Sequence, residues 1–115
     1  MKQIKLTEKN AKKYPVLYLI MFNEYGLHDK VYKLKLSKYG AAPCWIDGEN
    51  GISFCIPIPK REFGEIIKPK RTLVLGWNVS PRGSGDFLTT DKAEAEFALK
   101  AIQLYREHVK RLLSL

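Results

Sequence analysis

Hydrophobic and polar positions alternate over several short stretches of this chain, and a single long helical period follows near its end. In Lys2–Thr7, Ile4 and Leu6 fall on one side and Gln3 and Lys5 on the other, which predicts a short strand. Glu8–Tyr14 is polar and closed by Pro15, which suits a single helical turn. Val16–Phe22 (VLYLIMF) has no polar alternation and is rich in bulky β-formers, so it reads as a strand covered on both faces. A buried helix is the rival, because periodicity does not separate the two in so short a run. Val31–Leu36 alternates cleanly, with Tyr32, Leu34 and Leu36 facing a core and Lys33 and Lys35 facing out.

Cys44–Asp47 and Ile52–Ile58 flank Gly48-Glu49-Asn50-Gly51, a hairpin signal. A type I turn with Gly51 in the left-handed region gives a three-residue loop and sets Ile46 opposite Phe54. In that register Cys44 faces Ile56 on the core side and Cys55 points to the other face. A Cys44–Cys55 bridge needs a shift of one residue, which sets Ile46 opposite Ser53. The expectation is therefore two free thiols, with Trp45 on the face opposite Cys44 and Ile46.

Pro57 and Pro59 end this strand or place it at an edge. Lys60–Arg71 reads as a basic connection with a short helical turn around Phe63–Ile67. Thr72–Val79 is another strand, with Leu73, Leu75, Trp77 and Val79 on one face, and Ser80–Gly85 is a loop. Phe87–Ala95 has the generic look of a strand running into a helix. Asp91 caps that helix, with Glu94 three residues on completing a capping-box pattern. Phe97, Ala101, Leu104, Tyr105, Val109 and Leu112 form the apolar stripe expected to pack on the sheet. Glu96, Lys100, Gln103, Glu107, Lys110 and Arg111 take the opposite side, with both signs mixed. The elements add up to a single α+β domain over residues 1–115. It is a mainly antiparallel sheet of about five strands with a C-terminal amphipathic helix packed on one face.

Composition agrees with a folded domain: 45% apolar and 28% charged residues in 115 are ordinary proportions for a packed core. Charge changes the picture more. Fourteen of the twenty basic residues lie in the first 72 positions against seven acids, whereas the remaining 43 residues carry six bases and five acids. A surplus of one sign on part of a small domain attracts polyanions. The opening MKQIKLTEKN turns polar too early for a secretory signal. The longest apolar run, Val16–Phe22, is far short of the roughly 20 residues of a membrane span. The expectation is an intracellular, cytoplasmic protein with no membrane partner. Two cysteines without ligand-spaced neighbours make neither a disulfide scaffold nor a zinc site.

The cations fall into three groups: Lys9, Lys12 and Lys13; then Lys30, Lys33, Lys35 and Lys38; then Lys60, Arg61, Lys68, Lys70 and Arg71. Lys33 and Lys35 stand about 7 Å apart on one strand face, a spacing close to that of phosphates along a nucleic-acid strand. Lysines on a strand also protect an edge from aggregation. Trp45, Tyr39 and Tyr25 lie beside cations or turns, where an aromatic can stack a base, although such a Trp also covers small cores. Arg82 sits among small residues in the Ser80–Gly85 loop, which lacks the Gly-Lys-Ser/Thr ending of a P-loop. Asn78-Val79-Ser80 matches a glycosylation sequon, but Pro81 follows it.

Catalysis has little to stand on. His28 and Cys44 have no orienting third group, His108 falls beside the helical stripe, and Asp47/Glu49 and Glu94/Glu96 suit turn and capping roles. The sequence points to a non-enzymatic binding protein without cofactor or metal, engaging nucleic acid, DNA or RNA. Lys33, Lys35, Lys60, Arg61, Lys70, Arg71 and Arg82 would supply phosphate contacts, and Trp45 or Tyr39 would stack. The alternative is a small interaction or inhibitor module that meets an acidic protein surface through its sheet edge or the Trp45 hairpin.

Overall fold

The structure, a computed structural model, describes residues 4–22, 30–39, 42–56, 60–67, 73–79 and 85–114. Its strands are β1 (Ile4–Lys5), β2 (Val16–Phe22), β3 (Tyr32–Tyr39), β4 (Ala42–Asp47), β5 (Ile52–Cys55), β6 (Lys60–Glu62), β7 (Glu65–Ile67), β8 (Val74–Val79) and β9 (Gly85–Thr89). One helix, α1 (Lys92–Leu113), follows. Seven strands form a curled antiparallel sheet in the order β1-β8-β9-β2-β3-β4-β5, and β6 and β7 make a separate two-stranded sheet. The α+β architecture with its C-terminal helix matches the reading of the sequence; the main sheet has seven strands, not five.

β2 lies inside the sheet between β9 and β3, which explains its unbroken apolar run. Leu17 and Leu19 enter the inner core, and Ile20 enters a second core under α1, all with no exposed surface. The inner core also takes Leu34, Trp45, Ile56 and Leu88, and the N-terminal segment closes it from above with Leu6 and Ala11. That segment holds its shape through a reciprocal pair: the Thr7 amide donates to Asn10 Oδ1 (2.8 Å) and the Asn10 amide to Thr7 Oγ1 (3.3 Å). A 3-10 turn over Ala11–Lys13 follows, where the sequence suggested a single turn.

Three expectations change. β9 was read only as an approach to the helix, yet it lies between β8 and β2. Phe87, Leu88 and Thr89 are all buried there, so no alternation marks the strand. The segment read as a helical turn near Phe63–Ile67 is the β6–β7 hairpin. Phe63 (φ 52°) and Gly64 (φ 80°) supply the two left-handed residues that a tight hairpin turn requires.

The third change is the face that α1 buries. Its N-cap is as expected, with Asp91 Oδ1 accepting from the Ala93 amide (2.9 Å). The Asp91 amide donates to Thr89 Oγ1 (3.1 Å), so Thr89 takes the place given to Glu94 in a capping box. Against the sheet lie Ala95, Ala98, Leu99 and Ile102, packed on Ile20, Phe87, Tyr18 and Val31. Phe97, Leu104, Tyr105 and Leu112, placed on the packing stripe from sequence, are exposed. Two alanines let the helix backbone approach the sheet where large side chains would hold it away.

A candidate basic groove on the open half of the sheet

The β4–β5 hairpin sets the geometry of the candidate site, and its register differs from the sequence reading. Trp45 pairs with Phe54, Ile46 with Ser53 and Cys44 with Cys55. Residues 48–51 form a four-residue loop, with Gly51 left-handed (φ 65°) as expected. Asp47 holds the turn: its Oδ1 accepts from the Glu49 and Asn50 amides (3.1 and 3.2 Å), and its Oδ2 accepts from Asn50 Nδ2 (2.6 Å). The Asn50 side-chain bond leads the contacts that hold the Asp47 carboxyl below its ordinary pKa.

Burial decides the register. It places Trp45 on the inner face with Ile52, Phe54 and Ile56, so the hairpin's largest apolar group leaves water entirely. The Trp45 indole N–H then donates to the Tyr14 carbonyl (2.7 Å). Shifted by one, Trp45 would share the face of Ser53 and Cys55. The two cysteines consequently meet and form a disulfide, with Cα atoms 4.0 Å apart, in place of the expected free thiols. Ile56 N–H donates to the Pro43 carbonyl (3.1 Å), which makes the neighbouring Cys44/Cys55 pair the non-hydrogen-bonded kind, where strands approach most closely.

On the outer face, α1 covers β2 and β9 but leaves β3, β4 and β5 open. Lys33 and Lys35 project there, with Lys35 beside Ile46 and Ser37 beside Cys44. Lys33, Lys35, Ser37, Ser53 and Cys55 are exposed. A groove of about 630 Å³ runs between this strand and the hairpin turn, lined among others by Lys30, Lys33, Lys35, Ile46 and Asn50. Lys30 is held at its end, with Nζ 5.4 Å from the centre of the Tyr32 ring and 3.5 Å from Asn50 Oδ1. Lys92 pairs with Glu96 (3.9 Å) on the helix, whereas among the described residues no carboxylate pairs with Lys33 or Lys35. Asp47 and Glu49 lie at one lip of the groove, and Asp47 is already committed to the turn.

The structure brings together only part of the predicted site. Lys33, Lys35 and Lys30 share the groove; Lys30 was grouped with them in the sequence but not counted as a contact. Trp45 is fully buried, so it has no ring face to offer a base, and its assignment as a stacking residue is corrected. Tyr39 ends β3 paired with Ala42, and its side chain lies outside the described residues. Lys60 and Arg61 belong to the β6–β7 sheet, which the hydrogen-bond ladder does not join to β3; Arg61 is exposed. Lys70, Arg71 and Arg82, with His28 and Tyr25, lie outside the described residues. Lys9, Lys12 and Lys13 ride on the N-terminal segment that covers the inner face, opposite Lys33 and Lys35. The bridge was missed because it depends on the register. Among the described residues, no helix is long and apolar enough to cross a membrane. Comparison with family models, with curated proteins and with solved structures yields no match to this chain.

Proposed function

We propose that this protein is a non-enzymatic binding protein whose open sheet face engages a polyanion, with nucleic acid as the chemistry that fits best. The observation that supports it is the trio Lys30, Lys33 and Lys35 around one open groove, with Lys33 and Lys35 exposed and free of ion pairs. Desolvating paired cations costs part of the gain from a new contact, whereas unpaired ammonium groups meet phosphates directly. With Trp45 buried, stacking would fall to Tyr39, and affinity rests chiefly on charge and backbone contact. Lys60, Arg61, Lys70, Arg71 and Arg82 extend the surface only to the extent that their segments reach the same strand.

A cytoplasmic site of action belongs to the same reading. There cellular thiols would reduce the Cys44–Cys55 bridge, and in an oxidising compartment it would stay closed.

Titration of a fluorescent single-stranded oligonucleotide at several salt concentrations tests the proposal. The wild type should show log affinity falling linearly with log salt. Lys33→Gln/Lys35→Gln should lower that slope by about two, one per lost phosphate contact. Unchanged affinity and slope in the double variant would remove the assignment.

One observation favours a second reading, docking on an acidic protein: among the described residues β5 is the last strand of the main sheet, and no described strand pairs with its outer backbone edge. An extended segment can add to such an edge. A defined protein partner recovered after nuclease treatment would favour this reading over the first.

A further inference from the structure

The largest apolar residues of α1 are turned away from the sheet, and they make a continuous surface. Phe97 (76% exposed), Leu104 (59%), Tyr105 (68%) and Leu112 (56%) recur at helical spacing along it. The surface continues onto the sheet, because Phe97 and Ala101 line one groove of about 570 Å³ together with Ile4 and Trp77. Ile4 and Trp77 are themselves 46% and 42% exposed. Taking about 150–250 Å² for a whole large side chain, the six exposed groups present roughly 600 Å² of apolar surface. That approaches the roughly 800 Å² each partner buries in a stable protein–protein interface, before any polar rim is added.

We propose that this face is covered by a second copy of the chain, with the two α1 helices packed antiparallel. Charge selects both the partner and the direction. The first 72 residues carry fourteen bases and seven acids, a surface that repels its own copy, whereas residues 73–115 are nearly neutral. Self-association through α1, with Ile4 the one group of that face drawn from the basic part, keeps most of the cations out of the contact. Written as a heptad, the exposed stripe puts Ala101 and His108 at a, Phe97 and Leu104 at d, and Lys100 and Glu107 at g.

In an antiparallel pair a meets d and g meets g. Ala101 of one copy then faces Leu104 of the other, small against large, and Phe97 faces His108. Lys100 of each copy faces Glu107 of the other, and the end layers set Glu94 against Arg111. A parallel pair would set Glu94 against Glu94 and Arg111 against Arg111. Every charged layer therefore matches in one direction and clashes at both ends in the other.

Sedimentation equilibrium of the full chain tests this over concentrations up to about 100 μM, the range in which a modest apolar interface associates. The wild type should approach twice the 13.2 kDa chain mass. Leu104→Glu should remain monomeric with unchanged far-UV circular dichroism. Lys100→Glu alone should weaken association at least tenfold at low salt, and Lys100→Glu/Glu107→Lys should restore it. Because residues 100 and 107 are exposed, these changes leave the fold intact. A wild-type monomer at the highest concentration, with the face left to a different protein, overturns the proposal. So does a dimer that survives Leu104→Glu, or one indifferent to both charge variants.

Discussion

The two halves of the outer face belong to one pleated, curled sheet, yet one is dry and the other open. On β2 and β9 the outward residues are Ile20 and Phe87, and α1 seals them with Ala95 and Ala98. On β3, β4 and β5 the outward residues include Lys33, Lys35, Ser37, Ser53 and Cys55, all exposed, and among the described residues no second helix covers them. Both halves back onto the same inner core, so the outer face of β3–β5 is spared from packing. The covered half supplies stability, and the open half is released to present charge.

The largest expected effect breaks the covered half. Phe87→Ala should lower the unfolding free energy by about 3–5 kcal/mol, because a buried aromatic under the helix leaves a cavity. Lys33→Ala/Lys35→Ala should change it by less than about 0.5 kcal/mol, as exposed substitutions do. Denaturant titration of the two variants measures both, and similar losses would dissolve the distinction.

A smaller effect probes what holds the open half, where a covalent tie stands in place of a helix. Cys44 and Cys55 are 11 residues apart, and cutting a bridge across a loop of that size should cost about 2–3 kcal/mol. Guanidinium unfolding with and without dithiothreitol reads this directly. No change on reduction would mean that burial of Trp45 alone fixes the hairpin.

The smallest effect is a matter of pH at the edge of the covered half. Asp86 on β9 is partly buried beside Asn78 of β8, whose Nδ2 donates to Asp86 Oδ1 (3.2 Å). Desolvation raises its pKa, and the Asn78 bond offsets this in part. A raised carboxyl pKa means the folded state disfavours the charged form. This cost is absent below the unfolded carboxyl range, near pH 4, and complete once pH exceeds the raised value. Asp86→Asn should therefore raise Tm slightly at pH 7 and leave it unchanged at pH 3. An equal gain at both values would locate the effect in packing and not in charge.

Much of this was legible from local pattern. The outward Lys33 and Lys35, the two-sided burial of β2, the left-handed Gly51 and the Asp91 cap each depend on a few neighbouring residues, and all four appear as expected. Less legible were features that need a comparison between alternatives of equal local merit. The β4–β5 hairpin accepts either of two registers, and only an inner core waiting for Trp45 chooses between them. The apolar residues of α1 spread over more than half its circumference, so periodicity gave a stripe without saying which part meets the sheet.

Sequence alone settled most of the strands, the turn at residues 48–51, the C-terminal helix and where the cations concentrate along the chain, because these follow from side-chain period and short-range hydrogen bonding. The β6–β7 hairpin and the place of β9 in the sheet were not among them. Tertiary structure decided which strands are neighbours, which cysteines meet and which cations share a face. Strand pairing and helix docking maximise the burial of apolar surface drawn from the whole chain, and no local window contains that sum.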